Sequence, residues 1–131
     1  MDARIIPSEA FGIVIGDAHI IRNAGGSAKE GLRSILVSQQ LLGTQEIVII
    51  KHTGCGMLTF TNEEAHAVVS KKLGPTAAAE IATLDFLPIS DPEQAVRDDI
   101  EFLQKQSAIP KDIHISGWVY EVETGRVRHI E

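Results

Sequence analysis

A histidine and a cysteine stand three positions apart at the end of an apolar run. His52 and Cys55 form the pattern His-x-x-Cys directly after the run Ile-Val-Ile-Ile at residues 47–50. An imidazole nitrogen and a thiolate with this spacing can converge on one metal ion, and the softness of both ligands suits zinc. Gly54 and Gly56 allow the backbone to turn closely around such an ion. The pattern therefore makes His52 and Cys55 candidate metal ligands.

The same two residues support two other interpretations. Cys55 can be an inert buried cysteine beside a turn histidine. It can also be a thiolate nucleophile, with its pKa lowered at the start of a following helix and with His52 as its base. The sequence shows no third member of a catalytic triad and no oxyanion group. On the residues alone, all three interpretations stay open.

An acid and a base also stand two positions apart at the beginning of the sequence. Asp2 and Arg4 would project to the same face of an extended segment, where a carboxylate and a guanidinium can pair through two hydrogen bonds. Such a pair could orient a metal-bound water. Neighbouring surface charges without any function give the same local pattern.

The composition of the chain limits the classes of protein in which these candidate residues can act. The chain has 131 residues, a net charge of −6 and 44% hydrophobic residues, which predicts one compact domain over residues 1–131. The acidic balance and the lack of basic runs disfavour a nucleic-acid partner, and the apolar runs are too short to span a membrane. A single cysteine excludes an intrachain disulfide, and we therefore expect a cytoplasmic location.

The elements that must position the candidate residues can be predicted from periodicity and capping signals. We expect helices over Ser8–Ile15, from a Ser27 cap to about Leu42, from an Asn62 cap to Leu73, and from an Asp91 cap with Pro92 in the first turn to about Ser107. We expect strands over Ala18–Asn23, Glu46–His52, Ile113–Val122 and Arg126–Ile130. This alternation predicts a three-layer α/β/α sandwich with a mainly parallel central sheet and an antiparallel edge hairpin. Parallel strands place His52 and Cys55 at the carboxyl edge of the sheet, where ligands bind.

Several segments together resemble the β-class carbonic anhydrases. They are Met1–Arg4, Gly16–Gly26, Arg33-Ser34, Leu42–Thr44, His52–Met57 and Gly117–Gly125. The resemblance implies a zinc ion held by Cys, His and Cys. By the family pattern, His52 and Cys55 carry over as two zinc ligands, and Asp2 and Arg4 carry over as the catalytic pair that orients the attacking group.

The resemblance also implies an activity and an assembly. Zinc-bound hydroxide would attack carbon dioxide and form bicarbonate. The related carbonyl sulfide and carbon disulfide hydrolases share the same site, and a metal-free, non-enzymatic family member is a further alternative. Family members assemble as homodimers or larger homo-oligomers, so we expect the same here.

The sequence departs from the family at its beginning. The family motif is Cys-x-Asp-x-Arg, which places its first cysteine immediately before Met1, and an apolar strand precedes that cysteine. We therefore expect a domain that is N-terminally truncated relative to the family. A misplaced start, a natural minimal form and a pseudoenzyme without metal would each explain this. If metal is retained, we hypothesise that Asp2 replaces the missing ligand.

Overall fold

The protein, described by a computed structural model over residues 1–131, is built around a three-stranded sheet. The strands are β1 (Glu46–His52), β2 (His114–Glu121) and β3 (Arg126–Ile130). β1 and β2 are parallel, and His52 lies opposite Tyr120 at their carboxyl ends. β2 and β3 form an antiparallel hairpin. The α/β fold with a parallel centre and an antiparallel edge is therefore confirmed.

Five helices accompany the sheet: α1 (Pro7–Phe11), α2 (Ala28–Leu42), α3 (Asn62–Leu73), α4 (Pro75–Glu80) and α5 (Pro92–Lys105). α5 packs on β1 and β2, and α2 packs on α5. None of the helices has the length and apolar character needed to cross a membrane. The most deeply buried side chains, Val96 and Leu103 of α5 and Val119 of β2, join this helix to the sheet.

The capping signals predicted most helix boundaries, with three corrections. The Ser27 side chain accepts from Glu30 N at the start of α2, and Gly43 ends that helix in the left-handed conformation. α3 is capped by Thr61 rather than by Asn62, because Thr61 and Glu64 form a reciprocal capping box. α1 ends at Phe11, before the predicted Ile15, and α4 was not predicted.

The predicted strand over residues 18–23 is wrong. Backbone hydrogen bonds to a neighbouring strand define a ladder, and residues 18–22 make none. One edge of β1 is likewise unpaired, because β2 pairs only with the other edge. A groove of about 730 Å³ is lined by residues 18–23, α2 and β1. Gln39 also lines it, and its buried amide atoms have no hydrogen-bond partner.

Candidate metal-binding and catalytic site

Asp2 and Arg4 form a two-point ion pair. Arg4 Nε donates to Asp2 Oδ1 at 2.9 Å, and Arg4 Nη2 donates to Asp2 Oδ2 at 2.7 Å. The pair that these two residues could form is therefore present, although the segment is a turn and is not extended. The backbone turns here, since Asp2 Oδ1 also accepts from Arg4 N and Ile5 N donates to Asp2 O. A short acidic side chain that binds the backbone two residues ahead stabilises such a turn.

Arg4 and Asp2 are further held by distant segments. Arg4 Nη2 also donates to Gly54 O at 2.9 Å, which ties the first residues to the turn after β1. Arg22 Nη2 donates to Asp2 O at 2.7 Å. The carboxylate of Asp2 is thus fixed by its own turn and by the guanidinium of Arg4, while the Arg22 side chain holds the backbone carbonyl of Asp2.

This pairing changes the acid–base properties of both groups. Hydrogen bonds from the Arg4 side chain, and then from the Arg4 backbone, hold the pKa of Asp2 well below its usual range. The hydrogen bond to Asp2 raises the pKa of Arg4, and the charges of Glu123 and Cys55 act in the same direction. Asp2 is therefore a carboxylate, an acceptor only, at neutral pH.

One ring nitrogen of His52 faces the carboxylate of Asp2. Its Nδ1 lies 2.9 Å from Thr53 O, which can only accept, so Nδ1 carries the proton of the neutral ring. The other ring nitrogen, Nε2, then presents its lone pair, and it lies 3.7 Å from Asp2 Oδ2. Two acceptors facing each other at this distance would attract a proton or a cation between them.

Cys55 lies in the turn that follows β1. Its side chain is buried, and it directly follows Gly54, whose carbonyl oxygen accepts from Arg4 Nη2, which places it near the ion pair. The structure thus brings Asp2, Arg4 and His52 together, with Cys55 close by. The burial of Cys55 also agrees with the alternative interpretation of this residue as an inert cysteine.

The donor types suit zinc, but the arrangement does not complete a zinc site. Two ligands of a tetrahedral zinc ion lie roughly 3.3 Å apart, close to the 3.7 Å between His52 Nε2 and Asp2 Oδ2. However, no group of three or more His, Cys, Asp or Glu side chains is placed to hold a metal ion. A catalytic zinc normally takes three protein ligands.

The structure adds residues that sequence reasoning missed. Thr53 Oγ1 donates to Glu123 Oε2 at 2.7 Å and accepts from Val122 N at 3.0 Å. This connects the turn after β1 to the hairpin between β2 and β3. Thr53 and Glu123 are 70 positions apart, so no local pattern could have paired them.

A buried ion pair supports the site from the side of the sheet. Lys51, which precedes His52, contacts Asp99 of α5 and donates to the carbonyl oxygens of Gly25 and Gly26. Asp99 also accepts from Ala28 N, at the start of α2. Lys51 thereby fixes the turn that follows Arg22.

Comparison with known proteins connects this geometry to a family. The sequence profile described as carbonic anhydrase matches residues 1–127 of the chain. The chain belongs to the β-carbonic anhydrase family. The matched region contains Asp2, Arg4, His52, Cys55 and Glu123, so the family match covers the whole candidate site.

Relatives of this chain include both carbon disulfide hydrolases and carbonic anhydrases. A carbon disulfide hydrolase from an Acidianus species is 38% identical over 148 residues, which covers 98% of this chain and 72% of the relative. Beta-carbonic anhydrase 1 from Mycobacterium tuberculosis is 35% identical over 133 residues, covering 99% and 77%. Among solved structures, a carbonic anhydrase from Glaciozyma antarctica superposes with a TM-score of 0.95 at 44% identity, covering 100% of this chain and 78% of that one.

Proposed function

We propose that this chain catalyses the zinc-dependent, reversible hydration of carbon dioxide to bicarbonate. The reaction would take place at the site formed by Asp2, Arg4, His52 and Cys55. The observation that carries the proposal is the Asp2 carboxylate, held in a two-point ion pair by Arg4 with Oδ2 lying 3.7 Å from His52 Nε2. A fixed acceptor at this point can take a hydrogen bond from an attacking water or hydroxide and so orient its oxygen.

In this proposal His52 and Cys55 are metal ligands. Asp2 is the third donor in a second arrangement, in which it has left Arg4 and no longer orients the attacking group. Asp2 would have to turn from Arg4 toward His52 to act in this way. Nitrogen, sulfur and oxygen donors of these three kinds are all found around zinc. Because the third donor is engaged by Arg4 in this structure, we expect weaker zinc binding than a closed set of three ligands would give.

The second candidate function is hydrolysis of carbon disulfide or carbonyl sulfide. The 38% identity to the Acidianus carbon disulfide hydrolase favours it. The alignment to this hydrolase spans 148 positions for a chain of 131 residues and therefore contains many gaps. The alignment to the mycobacterial anhydrase spans 133 positions and contains few. The apo form of a carbon disulfide hydrolase superposes with a TM-score of 0.80, below the 0.95 of the Glaciozyma carbonic anhydrase. For these reasons we propose carbon dioxide hydration as the first candidate function and hydrolysis of carbon disulfide or carbonyl sulfide as the second.

The decisive experiment is zinc content together with turnover. We expect near one zinc per chain in the native sequence, with loss of zinc in His52→Ala and Cys55→Ser. Asp2→Asn should lower the zinc content if Asp2 is the third donor. His114→Ala is the control, because His114 is exposed and pairs with Glu46 away from the site. A variant with one cysteine added before Met1 should bind zinc more tightly.

Turnover on carbon dioxide, carbonyl sulfide and carbon disulfide then separates the two candidate reactions. Loss of a zinc ligand should lower the rate by roughly a hundredfold or more. A native chain that binds no zinc and hydrates no carbon dioxide would overturn the proposal and leave the metal-free alternative. Faster turnover on carbon disulfide would replace the first candidate with the second.

We further propose that the chain forms a homodimer or a larger homo-oligomer. α1 buries none of its residues, and Ile6, Val14 and Ile15 beside it are at least half exposed. Apolar residues clustered in one exposed segment are typical of an interface. Light scattering should give at least twice the chain mass, and Val14→Lys with Ile15→Lys should reduce it. A native monomer would contradict the proposal.

A further inference from the structure

The guanidinium of Arg4 has one nitrogen that is not engaged. Nε and Nη2 are used for Asp2, and Nη2 is also used for Gly54 O. Nη1 makes no hydrogen bond, and the Arg4 side chain is 52% exposed. Arginine can bind two acceptors in different directions because its five N–H groups lie in a fixed plane. Arg4 is therefore equipped for a second partner.

Glu123 has a free oxygen in the same place. Its Oε2 accepts from Thr53 Oγ1 at 2.7 Å, while Oε1 makes no hydrogen bond. The Thr53 hydroxyl also accepts from Val122 N, so its own position is fixed. The hydrogen bond from Thr53 lowers the pKa of Glu123, and the charge of Arg4 adds to this effect. Glu123 is thus an oriented carboxylate with one unused acceptor.

Gly54 lies close to both of these free atoms. A Cβ atom at Gly54 would be 3.7 Å from Glu123 Oε1 and 3.8 Å from Arg4 Nη1. One methyl group at this position would therefore touch both. Gly54 has a φ of +60°, which disfavours any side chain there. The absence of a side chain at Gly54 consequently leaves the free atoms of Arg4 and Glu123 uncrowded on this side.

We propose that Glu123 is a second carboxylate partner for Arg4, which takes up the guanidinium when Asp2 turns away. Releasing Asp2 would otherwise leave Arg4 without a counter-charge. With Glu123 nearby, Arg4 exchanges one carboxylate for another, and Asp2 becomes free to face His52. Glu123 is a positioning residue that acts through Arg4. The turn of Asp2 toward His52 rests on the proposed function, whereas the pairing of Arg4 with Glu123 can be tested in the metal-free chain.

The test follows the Arg4 side chain by nuclear magnetic resonance in the metal-free protein. Exchange of the guanidinium N–H groups with water reports whether they are hydrogen-bonded, and Arg4→Lys identifies the Arg4 signals by removing them. Asp2→Asn removes the first carboxylate. We expect Arg4 to remain protected in Asp2→Asn because it pairs with Glu123. In the double variant Asp2→Asn, Glu123→Gln, exchange should be about fivefold faster or more, since no carboxylate remains.

The matched control is Asp2→Asn, Glu121→Gln. Glu121 lies two positions from Glu123 and binds Thr124 instead of facing Arg4, so this variant should exchange like Asp2→Asn alone. Asp2, Glu121 and Glu123 all lie outside the buried core, and backbone amide spectra will show that each variant is folded. Equal exchange in Asp2→Asn and in the double variant with Glu123→Gln would overturn the proposal.

Discussion

The contact between Arg4 and Asp2 depends on the shape of the guanidinium as well as on its charge. Two nitrogens of Arg4 reach the two oxygens of Asp2, and one of them also reaches Gly54 O. A lysine ammonium is a point charge and cannot present parallel N–H groups to a carboxylate. The low pKa of Asp2 should therefore be specific to arginine at position 4.

We predict that Arg4→Lys raises the pKa of Asp2 toward the ordinary value of about 3.9. In the native chain the pKa of Asp2 is lowered, so its stabilising effect is complete above the ordinary pKa and is lost as the pH falls through the lowered one. In Arg4→Lys the stabilising effect should be smaller, and its loss should be complete at higher pH. Carbon-13 titration of the carboxyl group measures the shift. Arg128→Lys, whose arginine pairs with Glu93, should leave the pKa of Asp2 unchanged. An unaltered titration in Arg4→Lys would contradict the assigned cause.

At the scale of elements, the close packing of α5 on β2 depends on a residue without a side chain. A Cβ atom at Gly117 of β2 would lie 2.2 Å from Val96 Cγ1 and 2.8 Å from Ile100 Cδ1. Both neighbours belong to α5, and Val96 is fully buried. Space for even one methyl group is therefore absent between this strand and this helix.

We predict that Gly117→Ala lowers the free energy of unfolding by about 1–3 kcal/mol, because an overpacked core must shift backbone or side chains. Urea denaturation measures the change. Gly31→Ala is the matched control: its Cβ would meet Ile21 at an ordinary 3.5 Å, and alanine is favoured over glycine inside a helix by about 0.5–1 kcal/mol. Gly31→Ala should therefore be neutral or stabilising. Equal effects of the two substitutions would contradict this account of Gly117.

The elements also show which parts of the structure local sequence can predict. β1 was predicted at its observed bounds from its continuous apolar run, but the coverage on both faces that such a run indicates is not observed, because Val48 is half exposed. The Asp91 cap of α5 was predicted because its side chain acts on Gln94, three residues away. Residues 18–23 have the composition of a strand, yet a strand needs a partner, which composition does not supply. Glu123 could not be predicted, since only the folded chain brings it to Thr53.

At the scale of the whole molecule, one buried cation connects parts of the chain that are remote in sequence. Lys51 is 3% exposed and joins β1 to Asp99 of α5 and to the carbonyls of Gly25 and Gly26. Asp99 extends the connection to the start of α2 through Ala28 N. The turn that Lys51 holds continues directly from Arg22, which binds Asp2. The position of the candidate site therefore depends on this ion pair as well as on its own residues.

We predict that Asp99→Asn and Lys51→Met each lower the free energy of unfolding by about 3–5 kcal/mol, because each leaves a buried charge without its partner. The double variant should lose less than the sum of the two, since neither unpaired charge remains. The control is Lys105→Met, whose exposed pair with Glu101 lies on the same helix and should change stability by no more than about 0.5 kcal/mol. Urea denaturation measures all four variants. Strict additivity of the two buried substitutions would show that Lys51 and Asp99 stabilise the molecule separately, and the connection from α5 to the Arg22 turn would then not exist.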